Sequence, residues 1–231
     1  MRRSPTRMWP APSSSRFSTI PRECASMANA VDLPRVGAVA RFASAFAVPP
    51  DRAGGALTLV EMIPPGQINL RCDGHDPRAA RAVGGVLQGL LPVNANTVQS
   101  AADVTVLWLG PDEWLILTAP GQEGAVMAQL REALTGLHAA VTDVTGNRAL
   151  LRLSGPSARE TLQKGCTLDL HPRGFRPGQC AQTVLARAGI ILHQRDDAPT
   201  YDILPRRSFA EYVWLWLSDA MAEYNGRAIS G

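Results

Sequence analysis

Lysine is almost missing from this sequence. Lys164 is the only one, so nearly all of the 23 basic residues are arginine. With so much Ala, Gly and Pro, that bias reads as GC-rich coding rather than selection for the bidentate phosphate contacts that arginine makes well. Charge of one sign is lacking too. A net charge of +3 over 231 residues, unclustered beyond the first few positions, is too small to argue for nucleic acid or an anionic membrane. No run approaches the ~18 uninterrupted apolar residues of a membrane-spanning helix. The four cysteines (Cys24, Cys72, Cys166, Cys180) show no tight pairing pattern, and a chain of this length does not need disulfides. Reduced thiols in the cytoplasm are therefore expected. Without G-x-S-x-G there is no nucleophile elbow. Without G-x-G-x-x-G or G-x-x-x-x-G-K-[ST] there is no recognisable dinucleotide or nucleotide phosphate loop.

What is present is an ordinary globular composition, 45% apolar and 19% charged, in a length that suits one large domain or two small ones. Residues 1–26 are rich in Arg, Ser and Pro and have no apolar period, which predicts disorder. They read either as a targeting peptide or as a gene start placed too early, with Met27 opening more ordinary sequence. Residues 27–56 read as an irregular lead-in and 57–225 as the folded domain.

From Leu57 the pattern becomes regular. "LTLVEM" and "QINLR" predict two short strands around the turn signal "IPPG". "HDPRAARAVGGVLQGLLP" predicts a helix capped by Asp76, opened by Pro77 and stopped by Pro92. Its apolar face is Ala79, Val83, Val86, Leu87 and Leu90, while Gly84 and Gly85 weaken it and would permit close packing on a neighbour. "VTVLWLGPDEWLILTAP" predicts a β-hairpin turning at Pro111-Asp112, with arms so continuously apolar that both faces are covered. A helix over residues 123–134 follows, then "AAVTDVTGNRALLRLSG" as a strand pair turning at "TGN". "GPSARETLQKG" is a short helix, residues 179–193 are two strands split near Ala188-Gly189, and "TYDILP" is a short strand of alternating character. The last helix begins at "SFAEYVWLWLSDAMAEY". This order predicts an α+β fold of mixed or antiparallel sheets with helices packed on them, in two loosely repeated halves.

Three groups of polar residues could carry chemistry. Asp112 and Glu113 are adjacent acids, but two-carboxylate catalysis needs separation across a substrate, and neighbours in a turn point different ways. The Gly-Pro-Asp turn signature fits them better. Cys166, His171, Cys180 and His193 can be drawn as a zinc set, but they lack the short ligand pairs of structural zinc sites, and buried thiols with surface histidines is the simpler reading. "VTDVTGNR" places Asp143, Thr145, Asn147 and Arg148 near a turn, where they could bind a ligand or simply shape the turn.

The last helix is unusual for its apolar breadth. Ser208 and Glu211 form a capping-box pattern. Phe209, Tyr212, Val213 and Trp216 share one face, and Trp214, Leu215 and Leu217 widen it beyond a single stripe. Such a helix is either central to a core or partly buried by a partner.

Several segments together resemble the gamma subunit family of heterotetrameric sarcosine oxidase. They are "LWLGPDEWLIL", "VTDVTGNRALLRLSGPSARE", "KGCTLDLHPRGFRPGQCAQT" and "DDAPTYDILPRRSFAEYVWLWL", in that order, within residues 57–224. The resemblance implies an accessory subunit with no catalytic, cofactor-binding or metal-binding residue of its own, packed against alpha in a complex with beta and delta subunits. That complex oxidatively demethylates sarcosine to glycine, with formaldehyde or methylene-tetrahydrofolate and hydrogen peroxide as products. It holds FAD, FMN, NAD, tetrahydrofolate and zinc on its other subunits. The resemblance also implies a fold similar to the folate-binding domain of the glycine-cleavage T protein. An independent folate-dependent transferase of that type is the alternative, with Asp143 as the acid for the pterin.

Overall fold

The computed structural model describes residues 36–40, 57–101 and 103–225. The expectations for residues 1–26, and for most of 27–56, fall outside the described residues. In chain order the regular elements are β1 (Thr58–Glu61), β2 (Gly66–Cys72), α1 (Pro77–Leu87), β3 (Val98–Ala101), β4 (Val104–Gly110) and β5 (Glu113–Thr118). Then come α2 (Glu123–Ala133), β6 (Ala139–Asp143), β7 (Leu151–Ser154), α3 (Ala158–Gln163), β8 (Gln179–Leu185), β9 (Ala188–Asp196), β10 (Thr200–Pro205) and α4 (Ala210–Ala220). The strands form two antiparallel five-stranded sheets, ordered β3-β4-β5-β2-β6 and β8-β9-β10-β7-β1. The α+β expectation holds.

Written in those orders, the two sheets are one arrangement used twice. Each half begins with a strand (β2, β7), passes through a helix (α1, α3) and runs a three-strand meander (β3-β4-β5, β8-β9-β10). A second helix follows (α2, α4), and a fifth strand must then lie beside the first. The first half takes that strand from the next segment, β6, whereas the second takes it from β1, far upstream. The registers match as well. Asn69 faces Leu115 and Leu115 faces Leu107, just as Arg152 faces Asp202 and Asp202 faces His193. Both meanders carry a one-residue bulge at the same place, at Leu109 in β4 and Arg195 in β9.

Each sheet buries one face on its helices and part of the other on its fellow sheet. Ile68, Leu70, Trp114 and Ile116 pack with Val83 and Leu130 of the first half's helices. Leu151, Leu153, Tyr201 and Ile203 pack with Val213, Trp214 and Leu217 of α4. Between the sheets lie Leu107, Leu115 and Leu117 from one side and Leu150, Cys180, Ile191 and Leu204 from the other. The hairpin arms are thus covered on both faces, as their continuous apolar sequence predicts. The edges of β3 and β8 also join, through Val98 N–H to the Gly178 carbonyl and Cys180 N–H to the Asn96 carbonyl, each at 2.9 Å.

Helix α1 starts as the sequence predicts. Asp76 accepts from Arg78 N–H at 2.8 Å, and Pro77 occupies the first turn. It stops earlier than Pro92, at Gln88, which is left-handed with φ 53°. Leu90 therefore leaves the helical face and is 82% exposed rather than buried. Of the two glycines, Gly85 faces open space, and a Cβ at Gly84 would lie 3.2 Å from the Gly89 carbonyl, so Gly84 makes room for the turn that ends the helix and neither packs against a neighbouring element.

Two predicted turns between strands are crossings from one sheet to the other. "IPPG" carries the chain from β1 in one sheet to β2 in the other, and "TGN" carries it from β6 to β7 the same way. Turn residues encode a change of direction, not the sheet that receives the next strand. The β8–β9 turn lies at Ala186-Arg187, two residues before the predicted split, with Ala186 at φ 52°. "TYDILP" does not alternate: Tyr201 to Pro205 are all buried, because this central strand is covered on both sides. Helix α4 rises from a 3-10 turn at Arg207–Phe209, so Phe209 and not Ser208 holds the capping position.

The lone lysine joins the ends of α3 and α4. Lys164 Nζ donates to the Ala220 carbonyl, pairs with Glu223 and lies 4.6 Å from the centre of the Tyr224 ring. Beside it Gly165 admits the Trp216 ring, which a Cβ would meet at 2.5 Å.

Candidate functional site

The adjacent acids form the turn. Asp112 takes two N–H bonds from Arg71 Nη2, at 2.9 and 3.0 Å. Glu113, the first residue of β5, accepts from Asn69 Nδ2 at 2.8 Å and lies 3.7 Å from Arg71. One arginine thus holds both acids at the hairpin turn, and the two carboxylates do not face each other across a cleft.

The "VTDVTGNR" cluster is spent on the crossing between sheets. Asp143 Oδ1 accepts from Thr145 N–H at 2.8 Å, closing a turn on its own backbone. The Thr145 hydroxyl accepts from Gln67 N–H at 3.0 Å. Arg148 donates to the Leu204 carbonyl at 2.9 Å, and burial with Arg206 nearby lowers its pKa. Asp143 remains at the exposed end of β6, an edge strand.

The four candidate zinc ligands do not converge. Cys180 and His193 face each other across β8 and β9, but Cys166 lies on the helix side of the sheet and His171 is exposed in a loop, its Nδ1 accepting from Arg173 N–H at 3.2 Å. Among the described residues no group of three His, Cys, Asp or Glu could hold a metal ion. Burial pushes the Cys180 thiol up to about 12 and the Cys72 thiol up to about 11, which keeps both protonated near pH 7.

The strongest polar feature was not foreseen. Asp202, 3% exposed in the middle of β10, takes two bonds from Arg152 of β7, Nε at 2.7 Å and Nη2 at 3.1 Å, and a third from Arg195 Nη1 of β9 at 2.9 Å. His193 lies alongside, its Nδ1 4.0 Å from Asp202. Burial brings that imidazole down to about 4, so it is neutral near pH 7 and forms no ion pair. The bond to Asp202 raises the Arg152 pKa further. Arg152 is 27% and Arg195 41% exposed, so both side chains keep part of their surface open while their guanidiniums hold the buried acid. The signal was an acid inside an apolar strand, read as alternation because the sheet's second cover was unknown.

Helix α4 divides its apolar residues. Val213, Trp214 and Leu217 enter the core, and Trp216 is half-buried on Gly165. Phe209, Tyr212 and Leu215 stay 38–45% exposed, spaced three apart along the outer side. Phe209 and Tyr212 therefore do not share a buried face with Val213. The helix is both core and apolar surface.

Comparison with known proteins adds family and fold. A family model described as "Sarcosine oxidase, gamma subunit family" matches residues 71–223. The chain is 41% identical, over 151 residues, to the sarcosine oxidase subunit gamma of Corynebacterium sp. (strain P-1), covering 65% of this chain and 71% of that one. A chain of the heterotetrameric sarcosine oxidase from Corynebacterium sp. U-96, solved in complex with pyrrole 2-carboxylate, superposes with a TM-score of 0.76 at 32% identity. The match spans 85% of this chain and 99% of that one. The glycine cleavage aminomethyltransferase T from Bartonella henselae matches at TM-score 0.54 and 15% identity, over 72% of this chain and 46% of that one, a likeness of fold.

Proposed function

The chain belongs to the sarcosine oxidase gamma subunit family, and from that premise we propose that it is a non-catalytic accessory subunit of a heterotetrameric sarcosine oxidase. The observation that carries this reading is the superposition over 99% of a chain from such a heterotetramer. The complex oxidatively demethylates sarcosine to glycine, releasing formaldehyde or methylene-tetrahydrofolate and hydrogen peroxide. FAD, FMN and NAD reside on alpha and beta, zinc on delta, and this cytoplasmic chain holds none of them.

The chain's part is assembly. The outer side of α4 presents Phe209, Tyr212 and Leu215, residues of the kind that anchor interfaces when a partner covers them. Their burial falls mainly on alpha. The alternative, a folate-dependent transferase, has the T-protein-like fold in its favour, but fold alone does not assign function. Its candidate acid, Asp143, is engaged in closing its own turn.

Co-expression with alpha, beta and delta chains, with the affinity tag on this chain alone, tests the reading. The expected product is a yellow complex that makes peroxide when given sarcosine. A colourless chain recovered alone overturns it, and tetrahydrofolate titration of that chain then decides the transferase alternative.

A further inference from the structure

The two halves share one frame, so their side chains can be compared place by place. On the inter-sheet side of the first half, the matched positions are Asn69, Leu115 and Leu107, with Leu109 at the bulge. In the second half they are Arg152, Asp202 and His193, with Arg195 at the bulge. The first bulge lays Leu109 on the apolar cluster between the sheets. The second swings a guanidinium onto a carboxylate that already holds one. Bulges re-aim side chains in this way and are over-represented beside functional sites.

Asp202 does not need the second arginine. Arg152 alone meets it with a fork of two N–H bonds and neutralises it. Arg195 adds a like charge beside Arg152 and gives the trio a net charge of one positive. Asp196 acts on Arg152 from the hairpin end, where its carboxylate accepts from Thr200 N–H at 3.0 Å. The bonds to Asp202 use Nε and Nη2 of Arg152 and Nη1 of Arg195, which leaves further N–H groups on both guanidiniums. Val60, directly opposite Arg152 on the edge strand β1, is half-exposed and adds an apolar rim.

We propose that Arg152 and Arg195, held over Asp202, form the receptor for a carboxylate side chain of a partner subunit, with Val60 making apolar contact beside it. This rests on the reading of the chain as a subunit. Charge complementarity names the occupant, since paired guanidiniums with fixed planes match a carboxylate in position as well as charge. Asp202 fixes the planes from beneath, so little order is lost when the partner's acid arrives.

The test uses the co-expressed complex, held through the tag on this chain while sodium chloride is raised. Arg195→Glu leaves the Arg152–Asp202 fork in place. It is expected to weaken retention of the other subunits by about tenfold or more at fixed salt. Arg195→Lys keeps the charge without the fork and is expected to fall between. Thermal melting of each complex and of each isolated chain separates lost docking from lost folding. If Arg195→Glu does not fold, Arg195→Met is measured in its place, with the same expectation. Wild-type retention by a folded Arg195→Glu or Arg195→Met chain overturns the proposal while the subunit reading stands. A wild-type chain that retains nothing overturns both.

Discussion

His193 shows what burial does to a single titratable group. The imidazole is held neutral, with its pKa brought down to about 4 from the ordinary 6.5. Between those values the unfolded chain binds a proton that the folded chain refuses. Stability from this residue is therefore complete above about pH 6.5 and falls as the pH drops toward 4, by up to about 3 kcal/mol. His193→Leu installs the residue that the first half carries at the matching place. That variant should flatten this part of the pH dependence, read as the difference in urea midpoint between pH 7.5 and pH 4.5. An unchanged difference would show that His193 takes up its proton without unfolding. The same neighbourhood explains why the charged group was invisible in sequence. Arg152, His193, Arg195 and Asp202 span 51 positions (152 to 202 inclusive) and meet only because β7, β10 and β9 lie side by side.

Elements were legible where local chemistry decides them. Asp76-Pro77 starts α1, Gly-Pro-Asp turns the β4–β5 hairpin, and the apolar arms of that hairpin announce a second cover. The unread parts depend on long-range partners. β3, "VQSA", carries no strong apolar pattern and is held by pairing with β4. The IPPG and TGN crossings look like hairpin turns until the sheets are known. The α1 terminus is a local miss, because a left-handed Gln88 ends the helix before the proline can. That residue gives a test: Gln88→Gly removes the Cβ penalty of the left-handed conformation and should stabilise the chain by about 1 kcal/mol, seen as a higher urea midpoint with an unchanged slope. A lower midpoint would mean that the Gln88 side chain contributes more than its backbone costs. For the site, the apolar breadth of α4 was readable, but its division into a buried side and an exposed side was not.

At the scale of the whole molecule, the second half is completed by a strand that precedes the first. Glu61 at the end of β1 is also tied to the upstream residues, its carboxylate accepting from the N–H groups of Ala38 and Val39. Deleting residues 1–62 should leave the first sheet and its helices protected from hydrogen exchange, while residues 151–205 lose protection together. Equal protection in both halves would show that β1 is dispensable. The topology also sets an order in time. From Glu61 to Leu151 the ribosome must add 90 residues (151 − 61), which takes roughly 5–20 s at ordinary rates of synthesis. The strand made before every other described strand thus waits for a neighbour not yet translated, and a chain broken off before β7 has nowhere to place it. Closure of the second sheet is in effect a check, made by the fold itself, that translation has run far enough.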